Sequence, residues 1–444
     1  MDIPESIASK LKRPPAILGA GVSGAAVARL LGRAGCRPVF YDEKGTAGSL
    51  DFLGTSAATR HDLVVHSPGF PPAHPWLEAA RAAGATCLGE MDFAFLFWKA
   101  PLLSVTGTNG KTTLTEFLTF ALKRAGRDAV SAGNIGFPLS SVLELSGKGS
   151  PFPVCEVSSF QSEVMRYFVP SALLWTNFDE DHLERHGKLE NYFRAKYRLV
   201  ERLVSGGLLV VGESVAAAAK KFNLLLPPQT QVATRAEVFG KIPQESPLAN
   251  FPQAENYALA RRYWLAEGLP ERALEESARV FKTSRHRLAK TAEIDGVSFW
   301  NDSKGTNFHA TLAALAALHG TEDGGAFGAG KHRVHWIGGG RWKGGNVGRF
   351  AERLAAGIDS ADLIGETAPE LYKKFSELGV PVAVHDSLGK AVRTAAARAR
   401  SGGAVLFSPG FSSFDMFQGY AARGAEFEQI VSALKDCATN KVDA

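Results

Sequence analysis

Seven consecutive residues, Gly107-Thr108-Asn109-Gly110-Lys111-Thr112-Thr113, combine glycines, a lysine and hydroxyl side chains between an apolar run and an amphipathic stretch. In a strand-to-helix turn of this composition, backbone N–H groups point at phosphate oxygens and the helix N-terminus adds its dipole. Lys111 can neutralise charge on the outer phosphates, and Thr112 can hold a magnesium ion. The full phosphate-loop pattern wants a glycine at position 105, where this chain has Val105, so the turn is a variant. ATP binding is the expectation it sets, against an ordinary strand-to-helix turn with an exposed lysine. A second glycine-rich turn, Gly19-Ala20-Gly21-Val22-Ser23-Gly24, is followed by Asp42 at the end of the next apolar run. That is the dinucleotide fingerprint in form, yet another nucleotide, or close helix–sheet packing alone, accounts for it equally well. Two such turns in one chain call for two phosphate-bearing ligands.

Carboxylates and a histidine follow: Glu156 in Cys155-Glu156-Val157-Ser158-Ser159-Phe160-Gln161, and His182 in Asn177-Phe178-Asp179-Glu180-Asp181-His182. Oxygen ligands of this kind suit magnesium bridging phosphates, although a charge run is also what a solvated face looks like. Asn301-Asp302-Ser303-Lys304-Gly305-Thr306-Asn307 and Ser412-Ser413-Phe414-Asp415 each follow an apolar run and read either as polar sites or as helix caps.

The elements that must carry these residues are legible as a βα rhythm. Ala16–Leu18, Pro38–Asp42 and Leu63–His66 alternate with small-residue helical stretches. Leu102–Val105 leads into a helix with Leu114, Phe117, Leu118, Ala121 and Leu122 at helical spacing. The pattern loosens into loop from Pro227 to Pro252, and an amphipathic helix follows from Ala254 to about Gly268. A hairpin is expected at Ala289–Ile294 and Val297–Trp300 across Asp295-Gly296, before the Ala-rich helix Ala310–Leu318. Ala404–Phe407 reads as a strand, and 320–330 as a glycine-rich surface loop.

Composition sets the limits. The 444 residues suggest two to four domains, and 45% hydrophobic with 21% charged residues excludes global disorder. Fifty basic against 45 acidic residues, spread along the chain, give no nucleic-acid footprint. Four scattered cysteines without a CxxC pair fit a reducing compartment. The first fifteen residues lack the apolar core of a signal sequence, and no run reaches the ~18 apolar residues of a membrane span. A soluble cytoplasmic enzyme is expected.

The set GTNGKTT, EVSSFQ, DEDHLERHG, HRL, NDSKGTN, GGGRWKGG and SPGFSSFDMFQGYAARGAEF, in this order across almost the whole chain, resembles the Mur ligases of bacterial peptidoglycan synthesis. Within that family, the SSFQ segment and the C-terminal SP…S-x-D-x-F…RG…F pattern resemble the members that add glutamate to UDP-N-acetylmuramoyl-L-alanine. The resemblance implies an α/β fold of three domains. Residues 1–98 would be a UDP-binding Rossmann-like domain, 99–284 a central P-loop ATPase-type domain, and 285–444 a Rossmann-like domain for the incoming amino acid. It implies a reaction in which the substrate carboxylate attacks the ATP γ-phosphate, and glutamate's amine attacks the resulting acyl phosphate.

Residue by residue, the resemblance places the UDP substrate on Gly19, Gly21, Val22, Ser23, Asp42, Ser67 and Gly69, and its muramoyl part on Asn134. ATP falls to Gly107, Thr108, Asn109, Gly110, Lys111, Thr112, Thr113, Asn256, Arg287 and Asp302. Two magnesium ions fall to Thr112, Glu156, His182 and Lys196, the last as a carbamylated lysine. Lys111, His182, Lys196 and Lys304 carry catalysis, and Thr306, Lys343, Ser413, Phe414 and Tyr420 the amino acid. A monomer with small-molecule substrates, bound to neither nucleic acid nor membrane, completes the expectation. The chain departs from its relatives in having Gln253, Gly305 and Tyr420 where Asn, Ala and Phe are usual. Tyr420 adds a hydroxyl near the expected glutamate, so L-glutamate stays open beside D-glutamate, as does a P-loop ATPase without ligase activity. A folylpolyglutamate-type ligase shares the P-loop but not a UDP-type N-terminal domain.

Overall fold

The computed structural model describes residues 3–43, 45, 50, 54–145, 150–249, 253–320 and 333–442. These pack as two compact units. The first comprises Met1–Phe178, Glu190–Ser246 and Glu255–Phe281, and the second Asp179–Leu189, Pro247–Ala254 and Lys282–Ala444.

The first unit holds two parallel sheets. One has the order β2-β1-β3-β4, formed by β1 (Ala16–Leu18), β2 (Val39–Tyr41), β3 (Leu63–His66) and β4 (Thr86–Gly89). Its strands are short and almost wholly apolar because helices cover them; Ala16, Leu18, Tyr41, Val64, Leu77 and Ala80 form its core. The other sheet runs β10-β9-β8-β5-β7-β6, with β5 (Leu103–Thr106), β6 (Ala129–Gly133), β7 (Phe152–Glu156), β8 (Ala172–Trp175), β9 (Leu208–Gly212) and β10 (Gln231–Ala233). The helix Lys111–Arg124 buries Leu114, Phe117, Leu118, Ala121 and Leu122 against it, the face its sequence spacing predicts. The stretch read as loop from Pro227 contains β10 and a short 3₁₀ turn, Arg235–Val238. Three residues make too short a run for periodicity to register.

Polar groups tie these two sheets together. Asp92 accepts backbone N–H bonds from Arg166, Tyr167 and Phe168 at 2.7, 2.8 and 2.8 Å, and Glu90 accepts from Ser140 N at 2.7 Å. Arg29 pairs with Glu144 at 2.9 Å.

The second unit has the sheet β11-β12-β16-β13-β14-β15, with β11 (Ala289–Ile294), β12 (Val297–Asn301), β13 (Val334–Gly338), β14 (Ser360–Leu363), β15 (Val382–Val384) and β16 (Ala404–Phe407). Only the β11–β12 hairpin is antiparallel. Its turn residue Asp295 has φ 51° and Gly296 φ 76°, the left-handed pair that an Asp-Gly turn supplies. Helices cover both faces, so neighbours on β13 diverge: Trp336 packs with Phe350, Leu371 and Phe375 on one side, and Ile337 with Leu388, Val392 and Phe427 on the other. Nothing is described for 321–330, where the glycine-rich loop was expected. Among the described residues no helix is long and apolar enough to cross a membrane.

Candidate functional site

In open parallel sheets, ligands bind beyond the carboxyl ends of the strands, and the expected residues lie there. At the first sheet, the turn after β1, Asp42 after β2 and Ser67 after β3 share one edge. Asp42 Oδ2 accepts the Ala20 N–H at 2.7 Å. Gly24 has no room for a side chain, since a Cβ there would sit 2.0 Å from Gly19 O. The helix Val22–Arg33 begins at Gly21 without a side-chain cap, which suits a first turn that receives a diphosphate.

In the central sheet, Gly107–Gly110 leaves β5 and Lys111 opens the helix. Gly110 has φ 80°, and a Cβ would lie 2.6 Å from Asn256 Oδ1, so both conformation and space require glycine. The loop is stitched to the end of β8. Thr108 N donates to Asn177 O at 3.0 Å, Asn109 N to Asn177 Oδ1 at 2.9 Å, and Thr176 Oγ1 to Asn109 O at 2.6 Å. Lys111 Nζ folds over the loop to the carbonyls of Gly107 (2.8 Å) and Thr108 (2.7 Å). Thr112 and Thr113 are buried in the first helical turn. Asn256, expected at the adenine, is buried with its amide against this loop.

Glu156 ends β7 and is Cα partner to Val105 on β5, two residues before the loop. It is 1% exposed; Oε1 accepts from Asn134 Nδ2 at 2.7 Å, and Oε2 has no hydrogen-bond partner among the described residues. An orphaned buried carboxylate oxygen is costly and is the kind of ligand a hard divalent cation takes. Asn134, expected at the muramoyl group, thus orients Glu156. Lys196 is 1% exposed on the helix Leu189–Glu201, its Nζ 5.0 Å from the Tyr192 ring centroid, and Tyr192 Oη donates to Thr108 Oγ1 at 3.4 Å. Among the described residues no three His, Cys, Asp or Glu side chains converge as a metal cluster.

The second unit carries the remainder. His182 is left-handed at φ 53°, a strain of about 1–3 kcal/mol for a non-glycine residue. Asp181 Oδ1 accepts its N–H at 2.9 Å and the Lys343 ammonium at 3.0 Å, while Asp181 Oδ2 accepts from Asn307 Nδ2 at 2.9 Å. Burial pushes the Asp181 carboxyl up, but Lys343, His182 and the bonds from Asn307 and Lys343 outweigh it and hold the group well below the usual carboxylate range. Thr306, Asn307, Asp181 and Lys343 line one small pocket with Gly344 and Phe411. Two of the expected amino-acid residues, Thr306 and Lys343, therefore converge. Lys304 Nζ stands 5.0 Å from the Tyr420 ring centroid. Ser413 is buried and its carbonyl caps the turn to Phe417, whereas Phe414 is 65% exposed.

Asp302, after β12, accepts from Leu288 N (3.0 Å) and Ser408 Oγ (2.7 Å). Burial pushes its carboxyl up to about 7, against the Ser408 and Leu288 bonds and the charges of Arg287 and Arg423. Arg423 went unassigned in the sequence although its RG pattern was visible. It is 1% exposed and binds the carbonyls of Ser303 (2.9 Å) and Phe411 (3.2 Å), locking the two polar loops together. Burial lowers its guanidinium to about 10. Asn307, Asp181 and Ser408 were missed as partners too; their types are ordinary, and only the fold brings them in.

Known proteins match this geometry. "Mur ligase middle domain" describes residues 105–234, and "Mur ligase, glutamate ligase domain" residues 286–411. A UDP-N-acetylmuramoylalanine–D-glutamate ligase of Caldanaerobacter subterraneus subsp. tengcongensis is 32% identical, covering 94% of this chain and 98% of its own. One of the same name from Gloeobacter violaceus is 34% identical, covering 94% and 99%. The solved UDP-N-acetylmuramate-alanine ligase MurC of Thermotoga maritima shares the fold, with TM-score 0.57 and 18% identity over 95% of this chain and 100% of that one. So does the MurF ligase of Thermotoga maritima in complex with ADP, with TM-score 0.55 and 16% identity over 84% and 96%. Relatives above 30% identity, matched almost end to end, show that the chain belongs to the Mur ligase family.

Proposed function

We propose that this chain is an ATP-dependent amide ligase joining D-glutamate to UDP-N-acetylmuramoyl-L-alanine through an acyl phosphate, as a monomer in the cytoplasm. The observation that carries the reading is the orphaned, buried Glu156 oxygen at the strand end beside a glycine-required phosphate loop. The names of the relatives supply the substrates. A carboxylate is a poor electrophile, and transfer of the γ-phosphoryl group gives its carbonyl carbon a good leaving group; the amine of glutamate then displaces phosphate, leaving ADP, phosphate and the amide. Such a site must gather several negative charges, so Lys111 exchanges its loop carbonyls for phosphate oxygens in charge-assisted bonds. Magnesium, when bound, neutralises phosphate charge; Thr112, Glu156, His182 and Lys196 are the residues proposed to hold it, Lys196 as a carbamate because only its inverted charge suits a cation.

Gly19, Gly21, Val22, Ser23, Asp42, Ser67 and Gly69 are proposed to receive the UDP substrate, and Asn134 its muramoyl part. Asn256, Arg287 and Asp302 are assigned to the nucleotide of ATP, and Lys304, Thr306, Lys343, Ser413, Phe414 and Tyr420 to glutamate. Two cations suit a dicarboxylic amino acid. The test is ADP release with UDP-N-acetylmuramoyl-L-alanine and amino acids of both configurations. Release that requires D-glutamate is expected. A requirement for L-glutamate would replace the amino-acid assignment, and full-rate release with neither substrate would replace ligase by ATPase. Lys196 is checked separately: a carbamate resonance after labelling with carbon-13 bicarbonate, absent in Lys196→Arg, is expected.

A further inference from the structure

Arg287 sits between two strained residues. His286 has φ 65° and Leu288 φ 43°, both left-handed without being glycine. Such a backbone persists only where its surroundings hold it, and the holders can be named. His286 O accepts from Lys304 N at 3.1 Å, and Leu288 N donates to Asp302 Oδ1 at 3.0 Å. The third holder comes from the helix Tyr420–Val442. Glu428 Oε1 lies 3.1 Å from His286 Nδ1, and its other oxygen bonds Arg285. Gly424, one turn earlier, lies so close that a Cβ there would be 2.5 Å from His286 Nδ1.

The protons can be assigned. Burial pushes the His286 imidazole below its ordinary value, against the pull of the Glu428 carboxylate. Asn301 Nδ2 lies 3.0 Å from Gly424 O, 3.0 Å from His286 Nδ1 and 3.3 Å from Glu428 Oε1. The carboxylate oxygen 3.1 Å from Nδ1 favours the proton on that nitrogen, with the two Asn301 amide protons directed to Gly424 O and Glu428 Oε1. His286 therefore donates to Glu428, which grips both residues preceding Arg287.

We propose that Glu428 is a positioning residue for Arg287: through His286 it fixes the left-handed backbone that precedes the arginine and so the direction of its guanidinium. The role rests on the reading above that Arg287 meets ATP. Steady-state ADP release by the full chain, with each substrate varied in turn, compares wild type with Glu428→Ala, Glu428→Gln, Arg287→Ala and the Glu428→Ala/Arg287→Ala pair. Amide hydrogen exchange at Leu288 is followed without ligands. Loss of a bond to a charged group predicts that Glu428→Ala raises the KM for ATP on the order of tenfold, with the other two KM values within about threefold of wild type. Glu428→Gln, which keeps an acceptor for the imidazole N–H, recovers most of the loss. In the Arg287→Ala background Glu428→Ala costs nothing more, and Leu288 exchanges faster in Glu428→Ala.

An unchanged ATP KM in Glu428→Ala beside a raised one in Arg287→Ala overturns the proposal. An equal rise in all three KM values, or losses that multiply in the paired variant, overturns it too. If Arg287→Ala leaves the ATP KM unmoved, the nucleotide role of Arg287 falls instead. Leu288 exchange then decides alone: faster in Glu428→Ala keeps the grip on the loop, and unchanged exchange removes it.

Discussion

Lys111 and Asp302 show how a residue's surroundings turn an ordinary side chain into a special one. Lys111 lies across the carbonyls of Gly107 and Thr108 at the opening of the phosphate loop, which puts its charge where the phosphates of a bound nucleotide would come. Lys111→Ala is expected to lower kcat by about 10²–10³, the scale of removing one charge-stabilising donor, measured as ADP release with the melting temperature unchanged. Asp302 gives a pH dependence whose sign follows from its raised carboxyl, up to about 7 from an ordinary 3.8. Below about 4 the group is protonated in both folded and unfolded chains and contributes nothing. Between about 4 and 7 the folded state holds the proton more tightly, so stability falls as pH rises. Above 7 the full penalty, on the order of 4 kcal/mol at most, is present. Asp302→Asn cannot ionise, so its melting temperature should gain on wild type between pH 5 and pH 8; a difference independent of pH would contradict the assignment. Of these residues Lys111 was readable from its motif. Arg423 and Glu428 were not, because a charged residue on a helix is exposed far more often than buried, and only the fold puts Arg423 into the interior.

Elements explain why some motifs were legible and others not. The phosphate loop, the Asp295-Gly296 turn and the strand Ala404–Phe407 are local: their residue types alone dictate backbone shape or burial, and each formed where expected. The first glycine-rich turn was ambiguous between ligand and packing, and packing accounts for Gly24, where a Cβ would stand 2.0 Å from Gly19 O. Gly24→Ala must push the helix Val22–Arg33 away from β1. The expected result is a loss of about 1–3 kcal/mol, the usual cost of overpacking, read as a lower melting temperature. The KM for the UDP substrate should rise while that for ATP holds.

At the scale of the molecule, sequence reading placed boundaries near residues 98 and 284, and packing adds something no linear division contains. Asp179–Leu189 belongs with the unit that begins at Lys282, and the Asp181–Lys343 pair that anchors it spans 162 positions. Contacts at that separation leave no periodicity to find. A fragment of residues 285–444 would lack Asp181, leaving Lys343 and Asn307 without that partner. Its melting temperature should therefore fall below that of the same unit in the full chain by about 2–4 °C, the shift that 1 kcal/mol produces in a domain of this size. Equal values would mean that the segment is a passenger.

Trp336 on β13 donates its indole N–H to Ser408 O at 2.8 Å, and the hydroxyl of the same serine binds the Asp302 carboxylate. The chain therefore contains an optical probe wired to the buried Asp302 carboxyl. Indole emission shifts with the field around the ring, so the fluorescence lost in Trp336→Phe, among seven tryptophans, isolates a signal that should change colour as Asp302 gains or loses its proton, with no dye attached.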